Sequence, residues 1–287
     1  MTPEQEKTIR SFQRHLIEEE KSRATQDKYV RDITAFFTWL GVRPLDKQAV
    51  LDYKAHIQTG YAPASVNSML SSLNSVFDFM ERHDLHVKTL KIQRQTSLSP
   101  DKELTKAEYE RLLRAAQKQG KDRLYWLMQT ICSTGIRVSE LRFITAEAVK
   151  LGYADVTNKG RRRRVYLPKD LCRALKAYMT DHDIKKGPVF VTRSGKVMDR
   201  TNIWVEMKKL CRTAGISEKK VFPHNLRHLF ARTHYTMFKD VVRLADILGH
   251  ASVDTTRIYT ADSGETQRWQ VQRLGLVLSN QPKMNAT

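Results

Sequence analysis

Two arginines, two histidines and a late tyrosine stand in this chain in an order that suits phosphate chemistry. Pro223, His224, Asn225, Leu226, Arg227 and His228 run together, Leu248, Gly249 and His250 follow, and Arg257, Ile258 and Tyr259 close the series. Upstream lies a related stretch, Ser133, Thr134, Gly135, Ile136, Arg137, Val138, Ser139 and Glu140. Guanidinium groups bind phosphate oxygens, imidazoles hold or move protons, and a phenol can attack phosphorus. In a strongly basic chain this set could break and rejoin a phosphodiester through a phosphotyrosine bond.

Taken singly, each residue admits a plainer role. His224 and Arg227 share one face of a helix that Pro223 opens, and the helix start adds N–H groups that favour an anion. The same pair could be a solvated surface. Arg137 follows a tight turn after an apolar helix, with Glu140 placed to hold its guanidinium, which suits either structural pairing or a phosphate site. Lys159 sits at a hairpin tip beside Gly160, followed by Arg161, Arg162, Arg163 and Arg164. On a strand, alternate arginines face opposite sides, so two of the four would face a docked duplex. Tyr259 needs a base or nearby cations to act as a nucleophile, since a phenol has a pKa of about 10; otherwise it is a packing residue. His224, His228 and His234 have partial zinc-ligand spacing, but no cysteine or carboxylate joins them, so no metal is expected.

The elements that must position these residues are mostly helical. Apolar residues recur at helical spacing over 4–20, 25–40, 47–58 and from Pro63 to Met80, predicting a four-helix all-α domain over residues 1–90. Residues 91–103 are polar and unpatterned and read as a linker. Thr105 and Glu108 form a capping box that starts a helix to about Lys118, and helices are expected over 125–132 and 138–143. One β region is expected, with strands over 149–157 and 163–167 flanking the Asn158-Lys159-Gly160 turn and a third short strand or turn near 189–196. Helices follow over 201–214, 223–237, 241–248, 253–259 and 265–278.

The formal net charge is +19 over 287 residues. Residues 1–100 carry 14 Lys and Arg against 12 Asp and Glu, and the rest carry 36 against 19, so the excess sits with the arginine motifs. A polyanionic partner neutralises such self-repulsion. Cys132, Cys172 and Cys211 are far apart in apolar helical patterns and read as reduced core thiols. No apolar run is long enough for a membrane span and no secretion signal is seen, so a cytoplasmic protein is expected.

The ordered set Arg137-x-x-Glu140, Lys159 in a hairpin, His224-x-x-Arg227, Leu248-Gly249-His250 and Tyr259 resembles the tyrosine recombinases, also called the phage integrase family. Nine positions separate His250 from Tyr259, and Thr256 stands three before the tyrosine, as is typical of that family. The resemblance implies a mainly α catalytic domain with a small antiparallel β-sheet (α+β) over residues 104–287, ending in a tail helix over 265–278. It implies a helical core-binding, DNA-binding domain over 1–90. Arg137 and Arg227 would clamp the scissile phosphate, Tyr259 would attack to give a 3′-phosphotyrosine, and Lys159 would protonate the leaving oxygen. His224 would assist proton transfer, His250 would hydrogen-bond the phosphate and Glu140 would support Arg137. No cofactor is implied, because the arginines supply the positive charge. The implied partner is double-stranded DNA with inverted half-sites, bound by a tetramer on two sites. The tail packs either on its own domain or, as in the family, on a neighbouring subunit. An extra arm-binding domain is not expected. A type IB topoisomerase-like enzyme and a catalytically silent DNA-binding protein of the same fold are the alternatives.

Overall fold

The computed structural model describes residues 1–92, 100–158, 160–250, 252–259, 268 and 271–274. It divides into two compact units, Met1–Arg94 and Gln95–Thr287.

The first unit is built from α1 (Pro3–Glu18), α2 (Arg23–Leu40), α3 (Lys47–Gly60) and α4 (Pro63–Phe79). Thr2 and Gln5 form a capping box at the start of α1, and Asp46 caps α3 through the Ala49 N–H. Phe12, Phe36, Phe37, Val66, Leu70, Leu73 and Phe77 meet in a common apolar core. One polar link crosses that core's edge. The buried Asp32 of α2 accepts from Lys28 at 2.7 Å and from the Ser72 hydroxyl of α4 at 2.9 Å. These contacts offset part of the cost of burying a polar side chain.

The second unit runs α5 (Lys106–Lys118), α6 (Asp122–Thr134), a 3-10 segment over Val138–Phe143, α7 (Ala146–Leu151), β1 (Tyr153–Asn158), β2 (Arg161–Tyr166), α8 (Lys169–Asp181), α9 (Arg200–Ala214), α10 (Pro223–Phe238) and α11 (Val241–Leu248). The expected capping box is present: Thr105 accepts from Glu108 N, and the Glu108 carboxylate accepts from Thr105 N. β1 and β2 form a two-stranded antiparallel sheet in which Val156 faces Arg163 and Asp155 faces Arg164. Ala154, Val156 and Val165 bury one side of it against α6, α7 and α8 residues of the main core.

Several boundaries differ from the sequence expectation. Val149 to Leu151 end α7, and the strand begins only at Tyr153, because Gly152 adopts a left-handed conformation (φ +81°) that stops the helix. β2 starts at Arg161. Helix α8 is additional to the helices expected from sequence, and Leu171, Cys172, Leu175, Tyr178 and Met179 give it a buried stripe. Val138–Phe143 and the segment around Tyr259 are 3-10 turns, and near residue 191 there is an isolated bridge, Val191 to Val197. The expected tail helix lies mostly outside the described residues. Cys172 and Cys211 are buried, Cys132 is partly so, and all three are free thiols. No described helix is long and apolar enough to cross a membrane.

Candidate active site

The ends of two helices hold the arginines. The last carbonyls of an α-helix have no partner within it and form the negative end of its dipole, so they attract cations. α6 ends at Gly135 and α11 at Gly249, both left-handed, at φ +65° and +63°. Three successive carbonyls at the end of α11 take three different guanidinium groups. Ile247 O accepts Arg163 Nε at 3.1 Å, Leu248 O accepts Arg227 Nη2 at 2.6 Å, and Gly249 O accepts Arg137 Nη2 at 2.8 Å. Gly135 O at the end of α6 accepts Arg227 Nη1 at 2.6 Å. Neither glycine leaves space for a side chain: an added Cβ would meet Phe230 at 2.5 Å from Gly135 and Arg163 Cδ at 2.9 Å from Gly249.

Arg227 lies on the inner face of α10 and is 1% exposed. Burial, with Arg137 and Arg163 nearby, lowers its pKa to about 9, which leaves it a cation at neutral pH. Asn225, beside it, ties the start of α10 to the carbonyls of Lys102 and Lys220 at 2.6 and 2.7 Å.

Glu140 is buried between Arg137 and Arg163. It accepts Arg137 Nη1 at 3.0 Å and the Arg137 backbone N–H at 2.9 Å, and both its oxygens accept from Arg163 at 2.8 Å. Burial raises its pKa, but the Arg163 and Arg137 hydrogen bonds outweigh that and hold it down to about 2. It is therefore a carboxylate at any working pH.

His250 Nδ1 lies 2.7 Å from the Thr256 hydroxyl, which fixes the ring. Burial, then the Arg227 and Arg137 charges, lowers its pKa to about 4. His224 stands on the first turn of α10 with part of its surface open to solvent; partial burial of its ring, then the Arg227, Arg200 and Arg137 charges, lowers its pKa too. His224 packs edge-on against His228 at 4.4 Å between ring centroids, and His228 packs against Tyr259 at 5.2 Å. His228 is held neutral by burial, with a pKa of about 3.

Tyr259 is 6% exposed and packs with Ala231, Leu244 and Leu248 of the same unit. Burial raises its pKa to about 12, while Arg227 and Arg137 are near enough for their charges to oppose that rise. Arg137, Arg161, Arg162, Arg163, Gly249 and His250 border a cleft of about 180 Å³.

The structure thus brings Arg137, Glu140, His224, Arg227, His250 and Tyr259 into one neighbourhood. Lys159 lies outside the described residues. Of the arginine run expected to face DNA, Arg161 and Arg162 are exposed at the cleft, and Arg164 is exposed but forks onto Asp155 at 2.9 and 3.2 Å. Arg163 is not exposed with them: it lies beside the buried Val165 side of the sheet, and its guanidinium is committed to Glu140 and Ile247 rather than to DNA. The position of Val165 two residues on was the available signal. His228, considered in the sequence only as a zinc ligand, is a ring between His224 and Tyr259. Among the described residues, the one group of side chains close enough to hold a metal ion is Asp78, His83 and His86, in the other unit.

A family model described as Phage integrase family matches residues 102–265, and one described as Phage integrase, N-terminal SAM-like domain matches residues 9–84. Tyrosine recombinase XerA of Thermococcus kodakarensis is 30% identical over 284 residues, spanning 96% of this chain and 97% of that protein. Tyrosine recombinase XerD of Bifidobacterium longum is 33% identical over 273 residues, 85% and 88% of the two chains. Among solved structures, the Tn1549 transposon integrase in complex with transposon right end DNA matches with a TM-score of 0.74 at 16% identity, covering 93% of this chain and 99% of that one. The XerH recombinase bound to its difH substrate matches with a TM-score of 0.70 at 19% identity, covering 87% and 79%. At such identities these two matches speak to the fold alone.

Proposed function

The chain belongs to the phage integrase family, the tyrosine recombinases, and from that premise we propose that it cleaves and rejoins DNA strands at specific sites through a covalent 3′-phosphotyrosine, serving integration, excision or resolution of DNA. The observation that carries this reading is the clustering of Arg137, Arg227 and His250 around the ends of α6 and α11 with Tyr259 of the same chain beside them.

Arg137 and Arg227 bind the non-bridging oxygens of the scissile phosphate. Tyr259 Oη attacks phosphorus, the bond to the 5′ oxygen breaks, and the phenol proton passes to His224. Lys159 returns a proton to the leaving 5′ oxygen. The transition state carries more negative charge on the phosphoryl oxygens than the ground state. Cations already locked by helix-end carbonyls stabilise it without reorganising. His250, oriented by Thr256, donates to a phosphate oxygen. The phosphotyrosine preserves the bond energy, so a 5′-hydroxyl can reverse the step and reseal a strand.

Residues 1–90 act as the core-binding domain and residues 104–287 as the catalytic domain, with residues 91–103 as the linker between them. The working assembly is a tetramer on two DNA sites, each with inverted half-sites, held by exchange of the tail over 265–278 between subunits, and it works in the cytoplasm. An apolar groove of about 320 Å³, lined by Tyr109, Leu229, Phe230, Met237 and Phe238, supports that exchange by offering a seat for an apolar segment. Deleting residues 265–287 should leave single-site binding intact and abolish pairing of sites in a gel-shift assay; unchanged pairing would reject tail exchange.

The chemistry is tested with a suicide duplex nicked near the cleavage point. Wild type should form a covalent protein–DNA adduct and Tyr259→Phe none, while equal adducts from both would reject Tyr259 as the nucleophile.

A further inference from the structure

Arg163 is the member of the basic run that the proposed chemistry leaves unused, and its contacts differ in kind from those of its neighbours. Its Nη1 and Nη2 fork onto the two carboxylate oxygens of Glu140, both at 2.8 Å, while Nε reaches Ile247 O at 3.1 Å. Its Cδ lies 2.9 Å from the point where Gly249 would carry a Cβ. One side chain from β2 therefore ties together the 3-10 segment that carries Glu140 and the α11 end that carries Gly249 and His250.

The consequence falls on Arg137. A carboxylate presents one face suited to a two-pronged guanidinium contact, and such a contact is the strongest that the pair can make. In this structure Arg163 occupies that face. Arg137 reaches Glu140 through Nη1 and its backbone N–H only, and spends Nη2 on Gly249 O. A guanidinium has five N–H donors, so the rest remain for a ligand in the cleft. If Arg163 were absent, Arg137 would be drawn round to fork onto Glu140 itself.

We propose that Arg163 is a positioning residue for strand cleavage: by filling the forked face of Glu140, it keeps Arg137 turned toward the scissile phosphate and pins β2 against the end of α11. This rests on the reading of Arg137 as a phosphate clamp.

The test uses the full chain and nicked duplexes carrying either a normal scissile phosphate or a methylphosphonate. In the latter a methyl group replaces one non-bridging oxygen, so the linkage is uncharged and depends less on Arg137. Arg163→Met should slow adduct formation at saturating DNA by roughly tenfold to a hundredfold, the scale of a small misplacement of a reacting group. Binding affinity and its salt dependence should stay as in wild type. Arg163→Lys should remain slow, because an ammonium cannot fork, and it supplies the same readouts should Arg163→Met fail to fold. For both variants the defect relative to wild type should shrink on the methylphosphonate.

Weaker binding with normal cleavage at saturation would overturn the proposal in favour of a direct DNA contact. Equal slowing on both duplexes would overturn it in favour of general distortion, and wild-type rates in both variants would remove any role. Failure of wild type itself to form an adduct would strike the recombinase reading instead.

Discussion

Gly249 accepts a hydrogen bond from Arg137 through its carbonyl, at 2.8 Å, while its α-carbon stands against Arg163. One residue thus joins two guanidinium groups, and it does so in a left-handed conformation at φ +63°. Gly249→Ala should destabilise the second unit by about 1–3 kcal/mol, the usual range for a strained backbone position, and should slow adduct formation. Urea unfolding reads the first effect, and an unchanged midpoint would mean that Arg163 can withdraw without cost.

Arg227 is buried and donates to Gly135 O and Leu248 O. Lysine cannot span both carbonyls, so Arg227→Lys should lose about 2–3 kcal/mol of stability, the scale of a charged hydrogen bond. Adduct formation should fall about 10²–10³-fold, as for loss of a transition-state donor. A variant that keeps wild-type cleavage would show that Arg137 suffices as the clamp.

The lowered pKa of His224 leaves its ring neutral at pH 7 and able to accept the Tyr259 proton, while Tyr259, at about 12, remains a phenol. The rate of adduct formation should be flat between pH 7 and 9 in wild type. In His224→Gln the rate should be lower by about 10²-fold at pH 7, the usual scale of general-base catalysis, and rise with pH as hydroxide takes over. Parallel profiles for the two proteins would assign the proton to another acceptor.

Acid should destabilise the second unit in two overlapping ranges. His228 and His250 are depressed from 6.5 to about 3 and about 4, so the unfolded chain binds protons there that the folded chain refuses, and stability falls as pH drops below 6.5. Glu140, depressed from 4.5 to about 2, contributes stability that is full above 4.5 and lost as pH falls toward 2. Urea midpoints of His228→Phe should flatten in the upper range and those of Glu140→Gln in the lower. Unaltered slopes would place the linkage elsewhere.

Binding to DNA should depend on salt through Arg161 and Arg162, which are exposed at the cleft, more than through Arg164, which Asp155 already neutralises. Each of Arg161→Ala and Arg162→Ala should reduce the slope of log K against log salt by about 0.9, the value for one phosphate contact on duplex DNA. Arg164→Ala should reduce it less. Equal reductions from all three would mean that DNA displaces Asp155.

Helical periodicity and capping residues made most of the helices legible in the sequence, because they depend on contacts within a few residues: Thr105 with Glu108, or Pro63 at the start of α4. α8 carries as regular a stripe, Leu171, Cys172, Leu175, Tyr178 and Met179 at helical spacing, but lacks the N-cap side chain that marks a helix start, because Pro168 stands there. The residues that cluster at the ends of α6 and α11 were legible as candidates too, since the order from Arg137 to Tyr259 is a property of the chain alone.

What each arginine does was decided only by tertiary structure. Arg161 to Arg164 are one run in sequence, yet a strand turns alternate side chains to opposite faces, and packing of Val156 and Val165 chose which face is inside. That choice sent Arg163 to Glu140; Arg161, on the same face but at the open start of the strand, and Arg162, on the opposite face, stay exposed at the cleft. Likewise Gly135 and Gly249 announce helix ends from sequence, but only the approach of α6, α10 and α11 makes their carbonyls the seats of Arg227 and Arg137. Spacing along a chain specifies which groups are available; which carbonyl meets which guanidinium depends on elements far apart in sequence closing on one core.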